Sequence, residues 1–180
     1  MLSIRIICVG KLKEQFYADA AREYIMRLSG YCRLEVVEVP EHRGAAGGTV
    51  SSNLSACISS RAAGAAKDAD AQVEIALVKE RALIEKNIPS GAKTIALCVE
   101  GQEFDSRGLS RYLADCAGRG ASRLCFIIGG SHGLHDALKV RTDMKLSMSK
   151  MTFPHHLARV MLLEQLYRAF KIAKGGKYHK

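Results

Sequence analysis

A chain of 180 residues, 48% hydrophobic and 25% charged, has the length and composition of one globular domain with its own core. Its apolar runs are short, and the first, residues 4–9, is broken by Arg5, so neither a membrane span nor a secretory leader is expected from it. The formal charge of +9 is uneven: from Lys139 onward ten Lys/Arg face two acids, a net +8, leaving +1 for everything before.

In chain order, residues 3–9 read as a buried strand closed by Gly10. An amphipathic helix follows, with Tyr17, Ala21, Tyr24 and Leu28 at helical spacing and Gly30 as its stop. Residues 34–39 form a second strand ending at Pro40. Residues 44–70, rich in Ala, Gly and Ser, are expected to be a mobile surface loop with a short helix near 54–60. A helix over 71–88 carries Val73, Leu77, Ile84 and Ile88 on one side.

The second half alternates more sharply. Residues 94–99 and 124–128 are continuous apolar runs, the pattern of parallel strands covered on both faces. A helix over 105–117 lies between them, with Asp105 as N-cap. A short helix over 134–141 and a brief strand over 144–148 precede a long final helix over 153–173, with Pro154 in its first turn. On that helix Val160, Leu163, Tyr167 and Phe170 make one apolar stripe, and Met161, Leu162 and Leu166 widen it. So wide a stripe needs cover on more than one side, from its own sheet and from either a second copy or the rest of the monomer. The whole reads as a single α/β domain, residues 1–180, built on an open parallel sheet with helices on both faces and ligands expected beyond the strand C-termini.

Six cysteines, at 8, 32, 57, 98, 116 and 125, show no C-x-x-C or zinc spacing, so reduced thiols in a cytoplasmic protein are expected. No metal site is expected either, because His132-x-x-His135 has no third ligand at a fitting distance along the chain. A dinucleotide fold would place G-x-G-x-x-G after the first strand, where there is instead a lone Gly10 followed by Lys-Leu-Lys. Three segments at strand ends remain: 97–101, 128–134 with Gly129-Gly130-x-x-Gly133, and 146–155. In a parallel sheet all three can converge on one crevice, where glycines admit a ligand close to the backbone. The basic C-terminal segment favours a polyanionic partner, through release of counterions, without choosing between RNA, DNA and a phosphorylated metabolite.

The ending Leu-Ser-Met-Ser-Lys-Met-Thr-Phe-Pro-His (146–155), then Arg159, Glu164-Gln165-x-Tyr167-Arg168-Ala169 and Tyr178-His179-Lys180, resembles the RlmH family. The resemblance extends to Ile-Gly-Gly-Ser-His-Gly-Leu (128–134) and to Val-Gly-Lys-Leu-Lys (9–13), and covers nearly everything outside 44–70. These SPOUT-class methyltransferases modify N3 of a pseudouridine in 23S ribosomal RNA. The resemblance implies a C-terminal trefoil knot, a homodimer, and S-adenosylmethionine as methyl donor, with S-adenosylhomocysteine as product. It implies cofactor contacts at Leu97, Gly130, Ser149, Lys150, Met151, Thr152, Phe153 and Pro154, made largely by main-chain groups. The partner it implies is 23S rRNA, within the ribosome, and no membrane. Cys98 stands where relatives often carry an acid, so no carboxylate role carries over there.

The methylated imide nitrogen must first lose its proton. His179, His155 and His156 are the candidate bases; His179 with Tyr178 is favoured, because a tail after Gly175-Gly176 can swing over a neighbouring subunit's cofactor. Arg168, with Lys171, is the candidate for stabilising the resulting anion. The alternative reading is an RNA- or ribosome-binding module on the same fold without catalysis.

Overall fold

The computed structural model describes residues 1–42 and 62–176. The helix expected near 54–60, like Tyr178 and His179, lies outside the described residues.

Ten elements run in the order β1 (Ser3–Val9), α1 (Gln15–Leu28), β2 (Arg33–Val39), α2 (Ala62–Asn87), β3 (Lys93–Glu103), α3 (Ser106–Gly118), β4 (Arg123–Ile128), α4 (Asp136–Arg141), β5 (Met144–Ser147) and α5 (His155–Ala173). The strands form one sheet in the order β2-β1-β4-β3-β5, every pair parallel. The centre of the sheet explains its continuous apolar runs. Ile4, Ile6 and Cys8 of β1 join a core layer with α1, α3 and α5, while Ile7 and Val9 join a layer with α2 and α4. Strands buried on both faces have no use for polar alternation.

Several expectations change. The stretch thought to be loop up to residue 70 is already helical from Ala62, so α2 begins nine residues before its expected start at 71. Its inward stripe is Ala76, Glu80 and Ile84 rather than Val73 and Leu77, which are half-buried. Buried Glu80 accepts a 2.8 Å hydrogen bond from the amide of His42, which explains a carboxylate at a core position and ties the end of β2 to α2. Pro154 is the N-cap of α5 rather than a first-turn residue.

On α5, Leu162, Leu163, Leu166 and Ala169 are buried, each leucine contributing about 1.5–3 kcal/mol of apolar burial. The helix packs against both α1 and α3. Val160, Tyr167 and Phe170 sit half-buried against the same core, and with Leu162 and Leu166 buried, the helix's own chain covers much of both stripes. Ser110 of α3 donates a 2.8 Å hydrogen bond to the Ala169 carbonyl, and Tyr31 meets Tyr167 edge-on at 5.8 Å.

β3 runs longer than expected and is irregular. Residues 95–97 pair with 144–146, then the register jumps, and Gln102 and Glu103 pair with Leu146 and Ser147. Leu146 is therefore flanked by Leu97 and again by Gln102, with residues 98–101 arching between them. Gly101 is the crossing point: a Cβ there would lie 2.6 Å from the carbonyl carbon of Leu146 and 2.7 Å from the amide of Ser147. That close approach requires glycine.

Candidate active site

The C-terminal ends of β4, β3 and β5 and the start of α5 enclose a cavity of about 300 Å³, at the lower end of the range for small-molecule sites. Its walls come mainly from four places, with Lys139 of α4 added at the rim. The β3 arch supplies Leu97, Cys98, Val99 and Glu100; the turn after β4 supplies Ile128 to Leu134; β5 and its exit supply Leu146 to Ser149, then Met151, Thr152 and Phe153; α5 adds His155 and Ala158. The three segments that looked able to converge do so. Of the positions implied as cofactor contacts, Leu97, Gly130, Ser149, Met151, Thr152 and Phe153 line the cavity, whereas Lys150 and Pro154 are exposed outside its lining.

The glycine turn is shaped by its own backbone. Gly133, at φ +77°, turns the chain back so that its amide donates to the Gly130 carbonyl at 3.0 Å. A Cβ on Gly130 would meet Val9 Cγ1 at 2.9 Å and Glu41 Oε1 at 3.1 Å. The exit from β5 is held by short local bonds: the Ser147 hydroxyl donates to the Ser149 carbonyl at 2.9 Å, and the Met151 amide donates to the Ser149 hydroxyl at 3.1 Å.

Charge at the rim is paired. Lys139 of α4 reaches both Glu100 and Asp136 at 2.7 Å, linking the β3 arch to α4. Hydrogen bonds to Asp136 and Glu100 raise the Lys139 pKa, and its ammonium in turn holds the Glu100 carboxyl below the usual range. Burial, then Glu100, pushes the Cys98 thiol up, so it stays protonated and unreactive at neutral pH. The five described cysteines are all free, and the described residues contain no group of three or more metal-ligating side chains.

Behind the cavity, α5 is latched to the first two strands. Arg159, 2% exposed, donates to Glu38 and, at 2.9 Å, to the carbonyl of Gly10. His155 closes over Gly10, which at φ +82° lacks the side chain that would fill that space. Its Nε2 is buried without a hydrogen-bond partner, and burial first, then His156, lowers its pKa. Sequence reasoning missed Lys139, Glu38 and Glu41, whose spacing is no different from that of ordinary surface charges.

A family model described as "Predicted SPOUT methyltransferase" matches residues 2–179. The chain belongs to that family. Among its relatives, "Ribosomal RNA large subunit methyltransferase H 1" of Clostridium perfringens (strain SM101) is 40% identical over 179 residues, 99% of this chain and 100% of that protein. "Ribosomal RNA large subunit methyltransferase H" of Clostridioides difficile (strain 630) is 39% identical with the same coverage. In fold, a probable methyltransferase from Bordetella pertussis Tohama I superposes with a TM-score of 0.53 at 18% identity, covering 94% of this chain and 96% of that one. A probable methylase family protein from Haemophilus influenzae superposes at 0.52 and 14% identity, covering all of this chain and 72% of that one. The likeness in shape outlasts most of the likeness in sequence.

In this SPOUT methyltransferase Arg168 projects from α5 and lies outside the cavity lining. Its Nε and Nη2 donate to Glu164 Oε1 at 3.0 and 2.6 Å, an i, i+4 pair on one helix. Among the described residues no helix is long and apolar enough to cross a membrane.

Proposed function

We propose that this enzyme transfers the methyl group of S-adenosylmethionine to N3 of a pseudouridine in 23S ribosomal RNA, releasing S-adenosylhomocysteine. It works in the cytoplasm, on RNA within the ribosome, as a knotted homodimer of single-domain chains spanning residues 1–180. The observation that carries the reading is the meeting of three backbone stretches, at 97–100, 128–134 and 146–153, in one cavity. The names of its relatives point to large-subunit RNA as substrate.

The residues present suit an adenosyl group. Leu97, Leu134, Leu146 and Phe153 offer apolar wall, and the Gly129-Gly130 turn brings backbone rather than side chains to the lining. Leu97, Gly130 and residues 149–154 would hold the cofactor, Lys150 and Pro154 through their main chain. Bound there, the cofactor supplies an electrophilic methyl group on a positively charged sulfur. The protein's own contribution is to align donor and acceptor, which in well-oriented systems supplies up to about 7–11 kcal/mol of the barrier.

His179 with Tyr178 takes the imide proton, and Arg168 stabilises the anion that results. Arg168 does not line its own chain's cavity, so in this reading it and the tail serve the cavity of the second copy. Val99 and Met151, 44% and 67% exposed at the cavity wall, offer apolar surface for that copy. The knot is supported by the β3 arch, whose glycine at 101 lets the chain at 145–147 pass directly against it. The +8 carried from Lys139 onward gives RNA phosphates a basic surface.

The test is transfer of a labelled methyl group to ribosomes lacking the modification, followed by mapping of the label. The expected result is label on one pseudouridine of the large-subunit RNA. Label on tRNA or protein would overturn the substrate, and binding without transfer would favour the RNA-binding module.

A further inference from the structure

We propose that Glu41 is a positioning residue for the donor site: it holds the Gly130-Ser131 turn in its binding shape before any ligand arrives. The inference rests on the reading that this cavity takes S-adenosylmethionine. Glu41 Oε1 accepts two hydrogen bonds from one residue, from the Ser131 amide at 3.0 Å and the Ser131 hydroxyl at 2.6 Å. A carboxylate that accepts both a backbone and a side-chain donor is a charge-assisted clamp, about twice as strong as its neutral equivalent.

The position of Glu41 gives the clamp its reach. It follows β2 directly, whereas Ser131 follows β4, and β1 lies between those strands in the sheet. The carboxylate therefore spans the end of β1. Its Oε1 would lie 3.1 Å from a Cβ on Gly130, and its Oε2 3.9 Å from a Cβ on Gly10, so both glycines leave the room in which it sits. His155 Nε2 shares that space, 3.3 Å from the same point over Gly10. Three residues earlier, Glu38 anchors α5 through Arg159. Two acids at the end of β2 thus fix two different walls of the cavity, Glu38 the start of α5 and Glu41 the glycine turn.

The turn needs such a clamp. Two consecutive glycines have the widest backbone freedom of any dipeptide, and ordering them on binding would weaken affinity. A turn fixed in advance removes that cost from the binding step. The clamp touches Ser131, and Ser131 lines the cavity, so Glu41 acts through another residue rather than on the ligand.

The experiment compares wild type, Glu41→Ala, Glu41→Gln and Ser131→Ala by calorimetry with S-adenosylhomocysteine, by steady-state methyl transfer, and by amide exchange at Ser131. Glu41→Ala should weaken donor binding about ten- to hundredfold, the scale expected for losing two charge-assisted bonds. It should raise KM for the donor, leave kcat at saturating donor within about threefold of wild type, and speed exchange of the Ser131 amide. Glu41→Gln keeps an acceptor oxygen and should recover most of the affinity, and Ser131→Ala, which keeps the amide bond, should fall between. These two variants carry the test if Glu41→Ala does not fold. Wild type that fails to bind S-adenosylhomocysteine would sink the reading of the cavity and this inference with it. Wild type that binds while Glu41→Ala binds equally well, or keeps its Ser131 amide protected, would overturn the inference alone.

Discussion

Gly130 shows how little space the cavity at the strand ends leaves at single positions. A methyl group there would press on Val9 Cγ1 at 2.9 Å and on Glu41 Oε1 at 3.1 Å, displacing the carboxylate that holds the turn. Gly130→Ala should therefore fold with a small loss of stability and bind S-adenosylhomocysteine at least about tenfold more weakly, as calorimetry would show. Unchanged affinity would mean the turn does not contact the ligand. His155 makes a different prediction. Its pKa lies below the ordinary 6.5, chiefly through burial, with His156 and Arg159 adding to the effect and Glu41 and Glu14 opposing it. The fold thus prefers the neutral imidazole. The stability tied to that preference is complete above 6.5 and is lost as pH falls from 6.5 through the lowered value. Thermal midpoints measured from about pH 8 to 5 should fall less steeply for His155→Asn than for wild type. At this scale the sequence was informative where function leaves glycines after strands, as at 129–133. It was silent on Glu41 and Lys139, because a charge that meets its partner across the fold looks like any other charge in the chain.

At the scale of elements, two features carry the geometry of the site. The β3 arch crosses β5 at Gly101 with backbone on both sides, so Gly101→Ala must push apart two strands that cannot yield cheaply. It should cost at least about 1–3 kcal/mol, read from the denaturation midpoint, and a neutral substitution would contradict the crossing described here. The second feature is the Arg159 latch. Arg159→Leu would strand Glu38, but that carboxylate is 34% exposed and water can reach it. The loss should fall at the lower end of the ~3–5 kcal/mol typical of broken buried pairs, with donor affinity reduced as α5 loosens. The strands and α5 were legible because their apolar runs and stripes are long. The start of α2 was not. Its first turns, Ala62-Ala63-Gly64-Ala65-Ala66, carry good helix formers but no apolar periodicity, and their Ala/Gly composition read as loop. Its buried stripe also escaped notice, since Ala76 and Glu80 are not residues that mark a core.

At the scale of the whole molecule, the parallel α/β layering followed from alternating strands and helices, whereas threading and assembly did not. No pattern of composition encodes which side of an arch a strand passes, and those expectations came from family resemblance. Sedimentation should give twice the chain mass of 19.6 kDa at micromolar concentration, and a monomer would remove the proposed role for Arg168 on a second cavity. RNA binding should weaken steeply with salt, in keeping with the +8 carried by the C-terminal segment. The account depends most on the cavity at the ends of β3, β4 and β5. The measurement that tests it most directly is calorimetric titration of the wild-type protein with S-adenosylhomocysteine, alongside Gly130→Val, in which a bulkier side chain presses on Val9 and Glu41 and displaces the turn that lines the cavity. The account predicts saturable binding of one ligand per cavity in wild type and none in the variant. Absence of binding to wild type, or equal binding to both, would contradict it.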